Sequence, residues 1–97
     1  MIRSFRRGNA AGPLFRGETG AAVKEFPLNL VRVAVRKLAS LAASKSLEGL
    51  RALPGNKLEA LHGDLEGCHS IRINNQWRVV FQWGQGGPED VRILDYH

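Results

Sequence analysis

The sequence predicts an α+β fold, a small antiparallel β-sheet with two N-terminal helices packed on one face. Two observations carry this expectation. Between Leu28 and Ala43 the apolar residues Val31, Ala34, Val35, Leu38, Leu41 and Ala42 recur at three- and four-residue spacing, which is the repeat of an amphipathic helix. From His69 onward apolar and polar residues alternate instead, in three runs separated by short turn signals, the two-residue period of half-buried strands. Helices first and hairpins later stack as layers, with the helices over one face of an antiparallel sheet.

Taken in order, Ile2 to Phe5 is a short candidate strand. It leads into a loop whose regularity Gly8, Gly12, Pro13, Gly17 and Gly20 interrupt. Pro27 suits the first turn of the long helix, where its missing N–H has no partner to lose. The opposite face of that helix carries Arg32, Arg36 and Lys37. A second helix is expected over Leu47 to Leu53, with Ser44 or Ser46 as N-cap and Pro54-Gly55 ending it. The polar, glycine-punctuated segment from Gly55 to Gly67 reads as a loop bordering the sheet. Strands follow at His69 to Ile73, at Trp77 to Trp83 and from Val91 to the C-terminus, with turns at Asn74-Asn75 and Gly84 to Pro88. Short connections make them an antiparallel meander. Trp77, Val79, Phe81, Ile71 and Ile73 then face the long helix, and Arg72, Arg78 and Gln82 face the open side.

At 97 residues the chain is a single domain spanning 1–97. A domain this short buries roughly 60–65% of the surface its unfolded chain exposes, so much of its surface is left for partners. Fourteen Lys and Arg against nine Asp and Glu give a net charge of +5 and an isoelectric point near 10.2. A basic surface of this kind attracts polyanions, of which nucleic acid is the usual one. Cys68 is the only cysteine, which excludes an internal disulfide and fits a small buried packing residue. No apolar run approaches the roughly 20 residues that span a bilayer, and the basic start lacks the apolar stretch of a signal peptide. A cytoplasmic protein with no membrane partner is expected.

Several residues are able to do chemistry. The C-terminal tripeptide Asp95-Tyr96-His97 offers a carboxylate, a phenol and an imidazole at the end of a strand. Arg78, early in the central strand and facing away from the helix, either grips a phosphate with two parallel hydrogen bonds or pairs across strands with Asp95 or Glu89. Lys57, Glu59 and His62 in the bordering loop can reach a bound RNA, and Arg72 lies on the same open face as Arg78. The histidines His62, His69 and His97 lack the paired spacing of a zinc site. There is also no phosphate-cradling glycine motif followed by Lys and Ser or Thr. Neither a metal nor an organic cofactor is expected.

Together these segments resemble the HigB branch of the RelE toxins. The resemblance rests on Met1-Ile2-Arg3-Ser4-Phe5, Pro54-Gly55-Asn56-Lys57-Leu58, Gly63-Asp64, His69-Ser70-Ile71-Arg72-Ile73-Asn74, Gln76-Trp77-Arg78 and Asp95-Tyr96-His97, which occur in the family's order over nearly the whole chain. It implies a RelE-like fold and cleavage of mRNA in the ribosomal decoding site. It also implies neutralisation by a HigA-type helix-turn-helix antitoxin, through which the complex meets operator DNA. Carried onto this sequence, the family's active-site cluster includes Arg78, Asp95, Tyr96 and His97. The chain departs from the pattern upstream, where relatives often have lysine in place of His62 and histidine in place of Glu59.

RNA is cut without a metal when the ribose 2′-hydroxyl attacks the adjacent phosphorus and displaces the 5′-oxygen. That needs a base, a cation for the crowded phosphate and an acid for the leaving oxygen. On this reading Arg78 takes the phosphate, His97 the acid role and His62 or Asp95 the base role. Tyr96 stacks on a base or orients the attacking ribose. Two alternatives remain: a non-catalytic RelE-fold toxin that inhibits DNA gyrase (the ParE type), or a basic RNA-binding regulator.

Overall fold

Asn74 closes the hairpin at the centre of the sheet. In the computed structural model, which describes residues 1–95, its side-chain Oδ1 accepts the backbone N–H groups of Gln76 (2.9 Å) and Trp77 (2.7 Å). That is the local bond by which Asn stabilises a turn. The strands it joins, β2 (Cys68–Arg72) and β3 (Trp77–Gly84), are antiparallel, with Ile71 opposite Val79 and Arg72 opposite Arg78. β4 (Gly87–Asp95) follows antiparallel to β3, placing Ile93 opposite Val79 and Leu94 opposite Arg78. The predicted meander is present.

Its limits differ from the sequence reading in two places. β4 starts at Gly87 rather than Val91, because Gln85 and Gly86 alone make the turn. Pro88 is tolerated within β4 because this is an edge strand, and its carbonyl accepts the N–H of Arg3 at 2.7 Å. A further two-residue strand, β1 (Glu59–Ala60), pairs with His69 and Ser70 on the other edge, within the segment expected to be loop. The sheet order is β1-β2-β3-β4.

The N-terminal segment lies along β4 through a single parallel bridge between Phe5 and Val91, with bonds from Val91 N–H to Ser4 (3.0 Å) and from Arg6 N–H to Val91 (2.9 Å). The ladder is interrupted at Asp90, whose φ is 52° and whose N–H donates to the Ser4 hydroxyl at 2.8 Å, and beyond Arg6 a side chain takes over the pairing. The Asn9 amide donates to the Ile93 carbonyl at 2.9 Å and accepts the Ile93 N–H at 2.8 Å.

The glycine-rich stretch expected to be loop contains two short helices, α1 (Ala11–Arg16) and α2 (Ala21–Glu25). Gly12 and Pro13 fall in the first turn of α1, where backbone N–H groups have no intrahelical acceptor and proline costs nothing. Gly17 ends α1 at φ 72°, with its N–H bonded back to Leu14, a left-handed cap that glycine adopts without strain. The long helix α3 (Val31–Ala43) follows a 3-10 turn over Leu28–Leu30. The last helix, α4 (Leu47–Arg51), starts at Ser46, whose hydroxyl accepts the Gly49 N–H at 3.1 Å. Thus four helices occur among the described residues where two were expected. No helix among them is long and apolar enough to cross a membrane.

α3 turns Ala34, Leu38 and Leu41 inward against Ile71, Val79, Phe81, Val91 and Ile93 of the sheet, with Leu14, Phe26 and Leu50 closing the edges. Trp77 joins through an edge-to-face contact with Phe26, centroids 5.1 Å apart. The helix-facing set read from the alternation is the observed one. Asn56 then ties three elements together while almost fully buried. Its amide donates to the Leu50 carbonyl of α4 (3.1 Å) and accepts from Lys37 Nζ of α3 (2.8 Å), and its carbonyl accepts from the Arg72 N–H of β2 (2.7 Å). Lys37 is therefore not part of the solvated basic face. Burial above all, then Arg36 and Arg72, pull its pKa below the usual lysine value.

Both kinds of joint, the buried amide and the paired carboxylate, can be tested. Asn56→Ala removes both side-chain bonds and leaves the buried Leu50 carbonyl unpaired, and urea unfolding should show a loss of about 1–3 kcal/mol. The carboxylate of Asp90 receives two hydrogen bonds from the Arg6 guanidinium (2.5 and 3.0 Å). That bond above all holds the Asp90 pKa below the usual aspartate value, with Arg92 adding and burial opposing. A carboxylate depressed on folding stabilises the protein above its unfolded value of about 3.9, and the contribution disappears as pH falls through the lower folded value. Asp90→Asn keeps a residue that tolerates the local φ of 52°. The melting temperature of the variant should fall less steeply than that of the wild type below about pH 4.

Candidate active site

β3 carries Arg78 on the side away from the helices, one step after Trp77. The sequence places Arg72, Arg78 and Gln82 on an open face, and the structure corrects this for Arg78. The segment from Asn56 to Leu65 folds back over the sheet, where Leu61, Cys68 and Val80 form a second small core with Leu65 and Leu94. Arg78 lies under the near end of that cover, with only 9% of its side chain exposed. Gln82, beyond the far end, is exposed.

A cation held this far from water needs partners around its rim. Arg78 Nε donates to Ser70 Oγ at 2.6 Å, and Nη2 donates to the Lys57 carbonyl at 2.6 Å. Nη1 lies 3.3 Å from the Glu59 carboxylate. Ser70 is a diagonal neighbour on the adjacent strand, completely buried. Lys57 aims its carbonyl inward from a left-handed backbone (φ 46°) while its side chain points to solvent. Glu59 heads the edge strand β1 and is half-exposed. The guanidinium is thus fixed on two sides by uncharged oxygens and meets a solvent-accessible anion on the third. Such a group is oriented to receive an anionic oxygen where Glu59 now stands.

The other candidates divide around it. Arg72 is the cross-strand neighbour of Arg78, half-buried, with its guanidinium bonded to Asn75 Oδ1. Asp95 lies opposite Trp77 at the end of β4 and accepts from Gln76 Nε2 at 2.9 Å. It is one position beyond Leu94, the residue opposite Arg78. His62 is highly exposed at the end of the covering segment, with Nδ1 3.7 Å from Glu66, and no described contact joins it to Arg78. Tyr96 and His97 lie outside the described residues. The structure therefore gathers Arg78, Glu59, Lys57 and Arg72 at one end of the sheet, with Asp95 beside them along the strand ends.

Sequence reasoning missed Ser70 and Arg92. Ser70 has the parity of Arg72, and drawing out the register of the Asn74 hairpin sets it diagonally to Arg78. Arg92, nearly fully buried on the same face, donates from Nη1 to the Asp90 carbonyl and carboxylate (2.9 and 3.0 Å) and from Nη2 to Cys68 Sγ (3.6 Å). Its strand position gave no sign of burial. Cys68 is the buried packing residue expected of it.

Residues 17–97 match the sequence family described as the RelE-like toxin of type II toxin-antitoxin system HigB. The chain belongs to the HigB-like toxin family. Its relatives include Toxin HigB-1 of Vibrio cholerae serotype O1, 43% identical over 63% of this chain and 64% of that protein. An uncharacterized protein of Haemophilus influenzae is 36% identical over 80% of this chain and 76% of its own length. Endoribonuclease HigB of Proteus vulgaris is 42% identical over 42% of this chain and 45% of its own. The match thus spans less than two thirds of the Vibrio relative and under half of the Proteus one. Among solved structures, the YoeB-YefM complex from Staphylococcus aureus contains a chain that superposes with a TM-score of 0.60 at 20% identity. The superposition covers 100% of this chain and 98% of that one, so the HigB-like chain shares its fold. All the residues gathered around Arg78 fall within the matched 17–97.

The contacts of Arg78 rank by burial. Ser70→Ala leaves Nε without its acceptor in a buried setting, and chemical denaturation should show a loss of about 1.5–3 kcal/mol. Glu59→Gln removes a half-exposed partner that water and salt screen, and should cost no more than about 1 kcal/mol.

Proposed function

We propose that the chain is the toxin of a type II toxin-antitoxin system and acts as an endoribonuclease on ribosome-bound mRNA, with neither metal nor organic cofactor. The observation that carries the reading is the Arg78 guanidinium, immobilised in a largely water-excluded recess with one edge turned to an exchangeable anion. A preorganised cation of this kind stabilises charge developing on a phosphate more than it stabilises the ground state. Membership of the HigB-like family and the Proteus relative named as an endoribonuclease support the choice of RNA.

In the proposed reaction a phosphate oxygen of the RNA displaces Glu59 from Nη1 of Arg78. Arg78 then bridges the scissile phosphate while Ser70 and the Lys57 carbonyl keep its plane fixed. His62 or Asp95 removes the 2′-hydroxyl proton, the 2′-oxygen forms a bond to phosphorus, and the bond from phosphorus to the 5′-oxygen breaks. His97 donates a proton to the departing 5′-oxygen, leaving a 2′,3′-cyclic phosphate and a 5′-hydroxyl. Tyr96 stacks on a base or orients the ribose, and Lys57 and Arg72 hold flanking phosphates. The ribosome supplies the positioning of mRNA that so small a site lacks. A HigA-type helix-turn-helix antitoxin neutralises the toxin in the cytoplasm and links it to operator DNA. The structural neighbour, described as a complex of YoeB with YefM, supports a partner of the antitoxin kind.

The test maps new mRNA 5′ ends on translating ribosomes and on the same mRNA free in solution. The wild type should cut only the former. Arg78→Lys keeps the charge but loses the planar fork, and should cut about 10²–10³-fold more slowly; an unchanged rate removes Arg78 from the chemistry. Single-turnover pH profiles then separate the roles of His62. If protonated His62 steadies the phosphate, cutting falls as pH rises, and His62→Lys restores it at high pH. If neutral His62 is the base, cutting falls at low pH and His62→Lys is inactive. His97→Gln should remove the high-pH loss due to the general acid, along with most of the rate.

A further inference from the structure

The net charge is not spread over the chain. Residues 1–16 contain four arginines, Arg3, Arg6, Arg7 and Arg16, and no acidic residue. The other ten cations face nine carboxylates, so four of the five net positive charges belong to this opening segment. The family match covers residues 17–97 and so lies downstream of all four. The fold concentrates these charges further. The segment runs along β4, the sheet edge opposite β1, and a groove of about 460 Å³ opens between it and helices α1 and α2.

Arg6, Arg7 and Arg16 wall this groove, Phe5 lies within it, and the rest of its lining is Asn9 and Pro13 with the small residues Gly8, Gly20, Ala21 and Ala22. The three guanidiniums are held differently. Arg6 is anchored to Asp90. Arg16 sits 6.0 Å over the Phe5 ring and packs so closely on Gly12 that a Cβ there would come within 3.0 Å of Nη1; Glu18 takes its Nε at 3.1 Å. Arg7 is exposed and has no hydrogen-bond or ionic partner among the described residues. Phe5 meets Phe15 in a tilted ring contact, centroids 5.6 Å apart, and Phe15 is partly exposed at 38%.

We propose that this groove, together with the Phe15 ring that adjoins Phe5 outside its lining, is a second RNA-binding surface, which takes the sugar–phosphate backbone on Arg7 and Arg16 and an unstacked base against the exposed face of Phe15. Guanidiniums interleaved with aromatic faces suit phosphates and bases together. Where glycine and alanine line it, a bulky ribose is able to approach the backbone. An acidic protein segment would use the charges but not the ring. The groove borders α1 and α2, whereas Arg78 faces the side of the sheet away from the helices, so the groove holds RNA without taking part in cleavage. The choice of RNA among polyanions rests on the function proposed above.

The test measures binding of a single-stranded 12-nucleotide RNA by fluorescence anisotropy from low to moderate salt. The proteins compared are wild type, Arg7→Gln/Arg16→Gln, Phe15→Ala and Arg78→Lys. Arg6 is left in place because it anchors Asp90, and thermal melts check that each variant is folded. The double variant should bind about tenfold more weakly at low salt. The slope of log affinity against log salt should become shallower by roughly 1.4, at about 0.7 for each single-strand phosphate that is no longer neutralised. Phe15→Ala should weaken binding with the slope unchanged. An unaltered slope in the folded double variant overturns the proposal. So does a double variant that keeps its RNA affinity but no longer binds a 12-residue peptide of alternating Glu and Leu, which would make the groove a protein-docking surface. Cleavage on ribosomes separates this proposal from the nuclease reading. RNA binding that depends on Arg7 and Arg16 in a protein that cuts nothing upholds the groove and defeats the nuclease. Cutting by a protein whose RNA binding ignores both arginines does the reverse.

Discussion

Two arginines on the sheet face away from the helices, Arg78 and Arg92, are each more than nine-tenths buried, and much of the architecture around that face answers to them. Removing a guanidinium from water costs several kcal/mol unless its donors are met. Helix packing is unable to meet them, because α1 and α3 occupy the opposite face. The oxygens come instead from Ser70 within the sheet, from the Lys57 carbonyl and Glu59 in the segment that crosses it, and from Asp90 beside Arg92. Lys57 adopts a positive φ to turn its carbonyl inward, and Asp90 adopts one where it receives Arg6 and Arg92 together. Backbone conformations that cost energy in ordinary residues tend to occur where surrounding contacts over-determine them. Both of these lie next to a buried cation.

The same segment solves a second problem. An antiparallel sheet of this size has two edges whose free N–H and C=O groups invite pairing with other chains. Glu59 and Ala60 pair with β2 on one side. On the other, the backbone of Ser4 and Arg6 covers Val91, and the Asn9 amide covers Ile93. Both edge covers carry charge: Glu59 sits in one, and the opening arginines in the other. The pieces that finish the sheet are therefore also the pieces proposed above to face RNA, one at the site of cleavage and the other away from it. A site at the edge of a rigid meander has a fixed floor and a cover held by few bonds. In the reaction proposed above, Glu59 is exchanged for a phosphate while β3 stays in place.

How much of this is legible in the sequence depends on whether the cause is local. The alternation from His69 to Trp83 determines which residues face α3, because side-chain direction in a strand follows position alone. Ser46 announces α4 by the chemistry of its own hydroxyl. The glycine-rich start misleads, since Gly12 and Pro13 break a helix only in its interior and here they occupy a first turn. The Asn9 amide, standing in for a strand residue beside Ile93, leaves no periodic trace at all.

The candidate site shows the same division. Lys57, Glu59 and Arg72 are recognisable as RNA-facing candidates from the bordering loop and the alternation, and the resemblance adds Arg78 with Asp95. Their exposure is not recognisable. Alternation states which face a residue takes, and says nothing of whether that face is covered. The cover here is residues 56–65, a stretch without hydrophobic period whose path is set by Leu61 and Leu65 meeting Val80, Cys68 and Leu94, contacts distant in sequence. Pattern alone therefore makes Arg78 a surface arginine when it is a buried one, and this changes its chemistry. A surface guanidinium is mobile and screened by water. A recessed one is already oriented and only partly hydrated, so little reorganisation remains to be done when a phosphate arrives.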